Sequence, residues 1–335
     1  MQAILLRELG GPENFRLETV PDPSPGPDEV LVRLKTAALN HRDLFARVGL
    51  YPGIKLPAIP GSDGAGEIAA LGPGVTGWSL GSAVVINPAL QWGDNPRFYG
   101  RDYSILGIPT NGTLAQYVVV PATNVLAKPV YLSWQEAAAL PLAGLTAYRA
   151  LFSRGGLKAG ETVLIPGIGG GVASVLLQMA VAAGARVFVT SGHEAKLDRA
   201  RALGAAGGVN YHQEGWVKLL RNMMGAGADL SLDSVGGPTF ADLITLAKPG
   251  GRIVVFGSTA GPVPNLVMPR LFFKQLDVLG TTMGSPEDFA ALLKFCETHR
   301  LRPVVDRTYA LDQIVDAQQR MEKGEQFGKI VVEIP

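Results

Sequence analysis

Two rhythms of apolar positions divide the chain. Up to about residue 121, short apolar or alternating segments recur at Ala3–Arg7, Val30–Leu34, Gly66–Ala70, Ala83–Ile86 and Leu114–Val120. The turn-rich stretches PDPSPGPD, LGPG and PTNG separate them, so this part reads as a β-rich domain. From about Ala122 to Pro264, strands alternate with helices. Thr162–Ile165 is a short run with β-branched residues, suited to a buried parallel strand. Val172, Val175, Leu176, Met179, Ala180 and Ala183 then recur at helical spacing, and Gly184 closes the helix. Ala185–Thr190 is the next strand. Asp229–Asp233 and Arg252–Phe256 follow as later parallel strands, each trailed by a glycine at 236 or 257. The class predicted is α/β, with a doubly wound parallel sheet over residues 122–264. The tail 265–335 ends in the strand KIVVEI and is expected to return and complete the domain begun by residues 1–121.

The turn between the first strand and helix of the doubly wound part is the most informative feature. Gly167, Gly169, Gly170 and Gly171 precede Val172. A glycine-rich turn that opens a helix aims backbone N–H groups and the positive helix end at an anion, typically a dinucleotide pyrophosphate. The literal G-x-G-x-x-G spacing needs glycine at 172, where there is valine. Read one residue later, the third position is Ala173 and the first becomes Ile168. The flanking βαβ pattern, not the motif alone, makes this a Rossmann dinucleotide site. The second strand ends in Thr190, Ser191 and Gly192, where NAD-specific sites usually carry an acidic residue. Ser191, Lys196 and Tyr211 supply a hydroxyl, an ammonium and a phenol, a set that suits a 2′-phosphate and hence NADPH. Glu194 is the opposing signal, since a carboxylate there would bind ribose and favour NAD.

Composition narrows the partners. Net charge is +1 with 18% charged residues, and no basic run points to nucleic acid. The apolar stretch Ala137–Tyr148 is too short for a membrane helix and contains Pro141 and Gly144. The N-terminus MQAILLRELGG lacks a cleavable apolar region, so a cytoplasmic location is expected. The single cysteine, Cys296, excludes an intramolecular disulfide and a cysteine-built zinc site. It falls in an apolar helical pattern and reads as a small buried hydrophobe.

Several segments together resemble the medium-chain dehydrogenase/reductase superfamily along essentially the whole chain. They are AALNHRDLFARVGLYP (37–52), IPGSDGAGEIAALGPGV (59–75), GTLAQYVVVPA (112–122), AALPLAGLTAYRAL (138–151), the glycine turn, DSVGG (233–237) and QFGKIVVEI (326–334). The resemblance implies a GroES-like catalytic domain, a Rossmann domain with the cofactor in the cleft, and a homodimer or homotetramer. It also implies where zinc enzymes of the superfamily would place their catalytic ligands: Asn40, Ser62 and Leu142. An amide, a hydroxyl and an alkyl group do not make a tetrahedral zinc site. The loop NPALQWGDNPRFYGRDYSILGIP lacks the structural-zinc cysteines. The chain therefore resembles the zinc-free, quinone-oxidoreductase-like branch, with no metal expected.

Without a Lewis acid on an alcohol oxygen, the natural chemistry is hydride addition to an electrophilic carbon of a quinone or an α,β-unsaturated carbonyl. Tyr51, in LYPG, matches a substrate-side tyrosine of zinc-free reductases and could donate to a developing oxyanion; it could equally be packed on a turn by Pro52. Asn40, at a zinc-ligand position, is expected to face the nicotinamide and offer an amide N–H. By resemblance His41 faces the cofactor phosphates and Thr146 lies beside the nicotinamide. Ser234, Phe256, Gly257 and Ser258 end central strands, where this fold presents ligand contacts. Trp92, Phe98, Tyr99 and Tyr103 form either a substrate roof or a loop core. Two alternatives stand beside the reductase of quinones or enones: an enoyl-thioester reductase, and a cofactor-binding structural or sensing protein without turnover.

Overall fold

The structure is a computed structural model that describes residues 1–335. The chain divides into two compact units, Met1–Ala143 with Gly284–Pro335, and Gly144–Met283. The divides fall later than the changes of pattern at 121 and 264, for a local reason. The strand Val125–Ala127 pairs with Ala83–Ile86 in the first unit, whereas the strand Asp277–Gly280 pairs with Ala247–Val255 in the second. Residues on both sides of the expected boundaries are thereby tied to the neighbouring sheet by hydrogen bonds.

In the first unit, a seven-stranded sheet is built around the strand Glu29–Ala38. Val30, Val32 and Leu34 alternate inward and are almost fully buried, as period-2 spacing requires. Outward-facing Arg33 and Lys35 pair with Glu67 on the neighbouring strand Asp63–Leu71, and such exposed pairs contribute little. The C-terminal strand Lys329–Glu333 adds to the other side of Glu29–Ala38, antiparallel, with Val331 opposite Ala38. The tail thus brings Ile330 and Val332 into the same core as Val30, Ile68 and Val84. It also brings Lys329, which is buried at the start of that strand.

The second unit holds a six-stranded parallel sheet in the order Gly207–Asn210, Arg186–Ser191, Thr162–Ile165, Ala228–Asp233, Ala247–Val255, Asp277–Gly280. Strand order reverses between Thr162–Ile165 and Ala228–Asp233, the switch point where such sheets bind ligands. All four residues of Thr162–Ile165 are buried, as expected for a central strand covered on both faces. The helix Gly171–Ala182 follows and buries Val175, Leu176, Met179 and Ala180.

Candidate active site

At the switch point, the glycine turn is shaped by backbone requirements. Gly167 and Gly169 have φ of 65° and 142°, in the region that favours glycine. A Cβ on Gly167 would also lie 2.9 Å from the Val235 side chain. Thr190, at the end of the neighbouring strand, fixes the turn from below: its Oγ1 accepts from Gly167 N at 3.2 Å and its carbonyl from Ile168 N at 2.8 Å. Gly170 is the N-cap of the following helix, and no side chain caps it. The first N–H groups of that helix are therefore open to a ligand anion. Ser234, Gly257 and Ser258 gather at the ends of the adjoining strands: a Cβ on Gly257 would meet Ser234 O at 3.0 Å, and one on Gly236 would meet Ser258 Oγ at 2.7 Å. Phe256 N donates to Asp233 O. The Asp233 carboxylate braces this corner by accepting from Val235 N and Gly236 N.

The proposed 2′-phosphate residues are also partly gathered. A Cβ on Gly192 would lie 2.8 Å from the Tyr211 hydroxyl and 2.9 Å from His212 Nε2. Tyr211 therefore reaches back over the end of the strand that carries Ser191. Ser191 is buried, and its Oγ accepts from His193 N at 3.1 Å. His212 stands in this group although the sequence pattern did not mark it. Thr146, on the helix Pro141–Tyr148, is buried with Met283 Sδ 3.9 Å from its hydroxyl. These residues can cradle a dinucleotide through backbone N–H groups, hydroxyls and a phenol.

The first unit contains a different kind of site. Asn40 and Leu142 are brought together, but around the carboxylate of Asp63, the residue after Ser62. Asp63 is fully buried; its Oδ2 accepts from Asn40 Nδ2 at 2.9 Å and from Lys329 Nζ at 2.8 Å, and its Oδ1 accepts from Leu142 N at 2.7 Å. Lys329 Nζ also donates to Leu39 O and Asn40 Oδ1. The Ser62 hydroxyl donates to Leu106 O and accepts from Arg42. No group of three or more His, Cys, Asp or Glu side chains is placed to hold a metal ion. Lys329 was not marked by the sequence pattern as a functional residue. The only signal was a lysine at an inward position of the apolar segment FGKIVVEI.

Arg42 connects this cluster to Tyr51. Its guanidinium donates to Ser62 Oγ, Leu106 O and Ile108 O, and lies 4.6 Å from the centre of the Tyr51 ring. The ring is thereby held by a cation–π contact, while the hydroxyl has no hydrogen bond within the protein. His41 opens the helix His41–Arg47. Burial, with a smaller contribution from the Lys329 charge, lowers its pKa and favours neutral imidazole. Burial raises the pKa of Asp43, whose Oδ2 accepts from Asn40 N at 2.8 Å. In the loop beyond residue 90, Trp92 packs edge-on to Tyr99 and Tyr103, and those two stack at 4.4 Å. Trp92, Tyr99 and Tyr103 thus pack as one ring cluster in which Trp92 is buried and Tyr99, like Phe98, is exposed.

Comparison with known proteins covers both units. Residues 26–130 match the alcohol dehydrogenase GroES-like domain, and residues 171–298 match the zinc-binding dehydrogenase family. A zinc-type alcohol dehydrogenase-like protein of Leptosphaeria maculans is 39% identical over 339 residues, covering 96% of this chain and 94% of the relative. The chain belongs to the medium-chain dehydrogenase/reductase superfamily. Its members among solved structures include an NAD-dependent alcohol dehydrogenase, 40% identical with a TM-score of 0.96 and full coverage of both chains. A crotonyl-CoA carboxylase/reductase in complex with NADP is 25% identical, with a TM-score of 0.90 over 100% of this chain and 95% of the other. This medium-chain dehydrogenase/reductase is accordingly an oxidoreductase with the GroES-like and Rossmann folds. No helix in it is long and apolar enough to cross a membrane.

Proposed function

We propose that the protein is an NADPH-dependent, zinc-free reductase that delivers hydride to a quinone or an α,β-unsaturated carbonyl. The observation that carries this reading is the cluster of Asn40, Asp63 and Lys329. A catalytic zinc needs three good protein ligands. Here the corresponding positions offer an amide, a hydroxyl and an alkyl side chain, and the one carboxylate between them is already bonded to an ammonium. Seating a dication beside that ammonium would be strongly repulsive.

Gly167, Gly169, Gly170 and Gly171, with Val172 at the helix start, would hold the pyrophosphate. Ser191, Lys196 and Tyr211 would hold the 2′-phosphate. His41, Thr146, Ser234, Phe256, Gly257 and Ser258 would complete the cofactor contacts. The bound nicotinamide supplies hydride. The chain's own task is to hold the acceptor and stabilise the negative charge that develops on its oxygen. Tyr51 suits this because its ring is anchored by Arg42 and its hydroxyl is unpaired. It can donate a hydrogen bond or a proton to that oxygen, an effect typically worth ~10²–10⁴ in rate. Asn40 offers an amide N–H to the same oxygen.

Enoyl thioesters are the second class of acceptor, supported by the crotonyl-CoA relative. A cytoplasmic homodimer is part of the same reading. The strand Asp277–Gly280 ends its sheet with Val278 exposed, and Phe272 and Phe273 are exposed just before it. A second copy could pair along that edge and cover these side chains. Light scattering of the purified protein checks this. The functional reading is checked by elemental analysis, together with absorbance assays of NADPH and NADH oxidation by a simple quinone, an enone, an aldehyde and an enoyl thioester. About one zinc per chain, removed together with activity by a chelator, would overturn it.

A further inference from the structure

Lys329 is 3% exposed and sits on an otherwise apolar strand. Stability does not explain it, because a buried ion pair is often no better than well-packed apolar residues of similar volume. Its geometry does. An ammonium has three donor hydrogens and no lone pair. All three have acceptors here: Leu39 O at 2.7 Å, Asn40 Oδ1 at 2.6 Å and Asp63 Oδ2 at 2.8 Å.

The consequence falls on Asn40. An amide side chain can usually be turned over, exchanging its oxygen and nitrogen. Turned over here, its NH2 would face the ammonium and its oxygen would face the carboxylate, two repulsive contacts in place of two attractive ones. Lys329 and Asp63 therefore fix a single orientation. In that orientation one Nδ2 hydrogen goes to Asp63 and the other has no acceptor in the protein. Asn40 is also the N-cap of its helix, where an asparagine oxygen commonly accepts a helix N–H. Here Asp43 N, the third N–H of the helix, donates to the Asn40 backbone carbonyl at 2.9 Å, and the side-chain oxygen is held by Lys329.

We propose that Lys329 is a positioning residue: with Asp63, it locks the Asn40 amide so that one N–H remains available to the substrate oxygen. The proposal rests on the hydride-transfer reading above, in which Asn40 is that donor. The residues concerned are 8% exposed or less, so the arrangement is preset and not assembled by the ligand.

The test uses Asn40→Ala, Lys329→Met and the double variant Lys329→Met/Asp63→Asn. They are assayed with NADPH and 2-cyclohexen-1-one, and with 1,4-benzoquinone for comparison. Lys329→Met leaves a buried carboxylate without its cation and should lose both stability and activity. The double variant buries no lone charge, so its melting temperature should return towards that of the wild type. Its kcat on the enone should nevertheless stay low, on the order of 10- to 100-fold down, as misplacement of a catalytic group predicts. The KM for NADPH should not move. Recovery of both melting temperature and kcat in the double variant would overturn the proposal, reducing Lys329 to a counter-ion for Asp63. A low kcat in Asn40→Ala with a normal kcat in the double variant rejects the positioning role alone. Unchanged kcat in Asn40→Ala on both substrates rejects the donor reading beneath it. Should neither Lys329 variant fold, selective ¹⁵N-asparagine labelling reads the wild-type amide directly. One Asn40 side-chain proton should be protected from exchange and the other should exchange freely, and equal behaviour of the two would overturn the lock.

Discussion

The two candidate sites solve opposite problems. The glycine turn at residues 167–171 gives two N–H groups to Thr190 and leaves the start of the following helix without a side-chain cap. The cluster around Asp63 does the reverse: every polar atom of the carboxylate and the ammonium is matched inside the protein. The first is ready to bind a charged ligand and depends on empty space. The second carries its own charges and depends on complete pairing. A buried polar network is stable only while fully satisfied, so the two regions should respond differently to substitution.

The largest effect is expected at the cluster. Asp63→Asn leaves the Lys329 ammonium buried without an anion, and breaking a buried pair in this way typically costs 3–5 kcal/mol, roughly. Denaturant unfolding should show that loss, and a change well under 1 kcal/mol would mean that water reaches the pair. Tyr51→Phe should leave stability and NADPH affinity intact, because the ring and its contact with Arg42 persist. On an enone, kcat and kcat/KM should fall together by ~10²-fold, since only transition-state stabilisation is removed. A quinone accepts hydride more readily and should suffer less. Unchanged kcat on every accepted substrate would leave Tyr51 as a wall of the pocket.

The same contrast explains what was legible in the sequence. The doubly wound sheet was, because hydrophobic period and turn residues are local signals: Thr162–Ile165 is a strand with those bounds, and the predicted helix from Val172 begins at Gly171. The glycine turn was legible for the same reason. The role of Asp63 was not. Its partners come from residues 40, 142 and 329, and no spacing rule links positions so far apart. Asn40 and Tyr51 were singled out through family resemblance. Arg42, which anchors Tyr51, carries no such local signal, because Leu106 O and Ile108 O, two of its acceptors, are backbone atoms of a distant loop.

Lys196→Ala probes the dinucleotide side with a smaller expected effect. Loss of a charge-assisted bond to the 2′-phosphate costs ~1.5–3 kcal/mol, which is roughly 10- to 150-fold in NADPH affinity. NADH should bind nearly as before. Equal weakening of both cofactors in a fluorescence titration would remove Lys196 from the 2′-phosphate site and bring His212, beside Tyr211, forward in its place.

The smallest effect concerns His41, which stands between the two kinds of site in character. It is partly buried, it has no carboxylate partner among its hydrogen bonds, and the nearby Lys329 charge adds to the burial that lowers its pKa. The folded protein therefore holds neutral imidazole at pH values where the unfolded chain, titrating near 6.5, already takes up a proton. Below that value the unfolded state binds more protons, so stability falls as pH drops from about 6.5 towards the lowered folded pKa. Asp43 acts in the opposite sense, because its folded pKa is raised and protonation favours the folded form. The two are separated by difference. His41→Gln removes one titration and leaves the other, so the wild type should lose more melting temperature than the variant between pH 7.5 and 5.5, by a few degrees at most. Parallel melting curves across that range would show that His41 keeps its ordinary pKa in the folded protein.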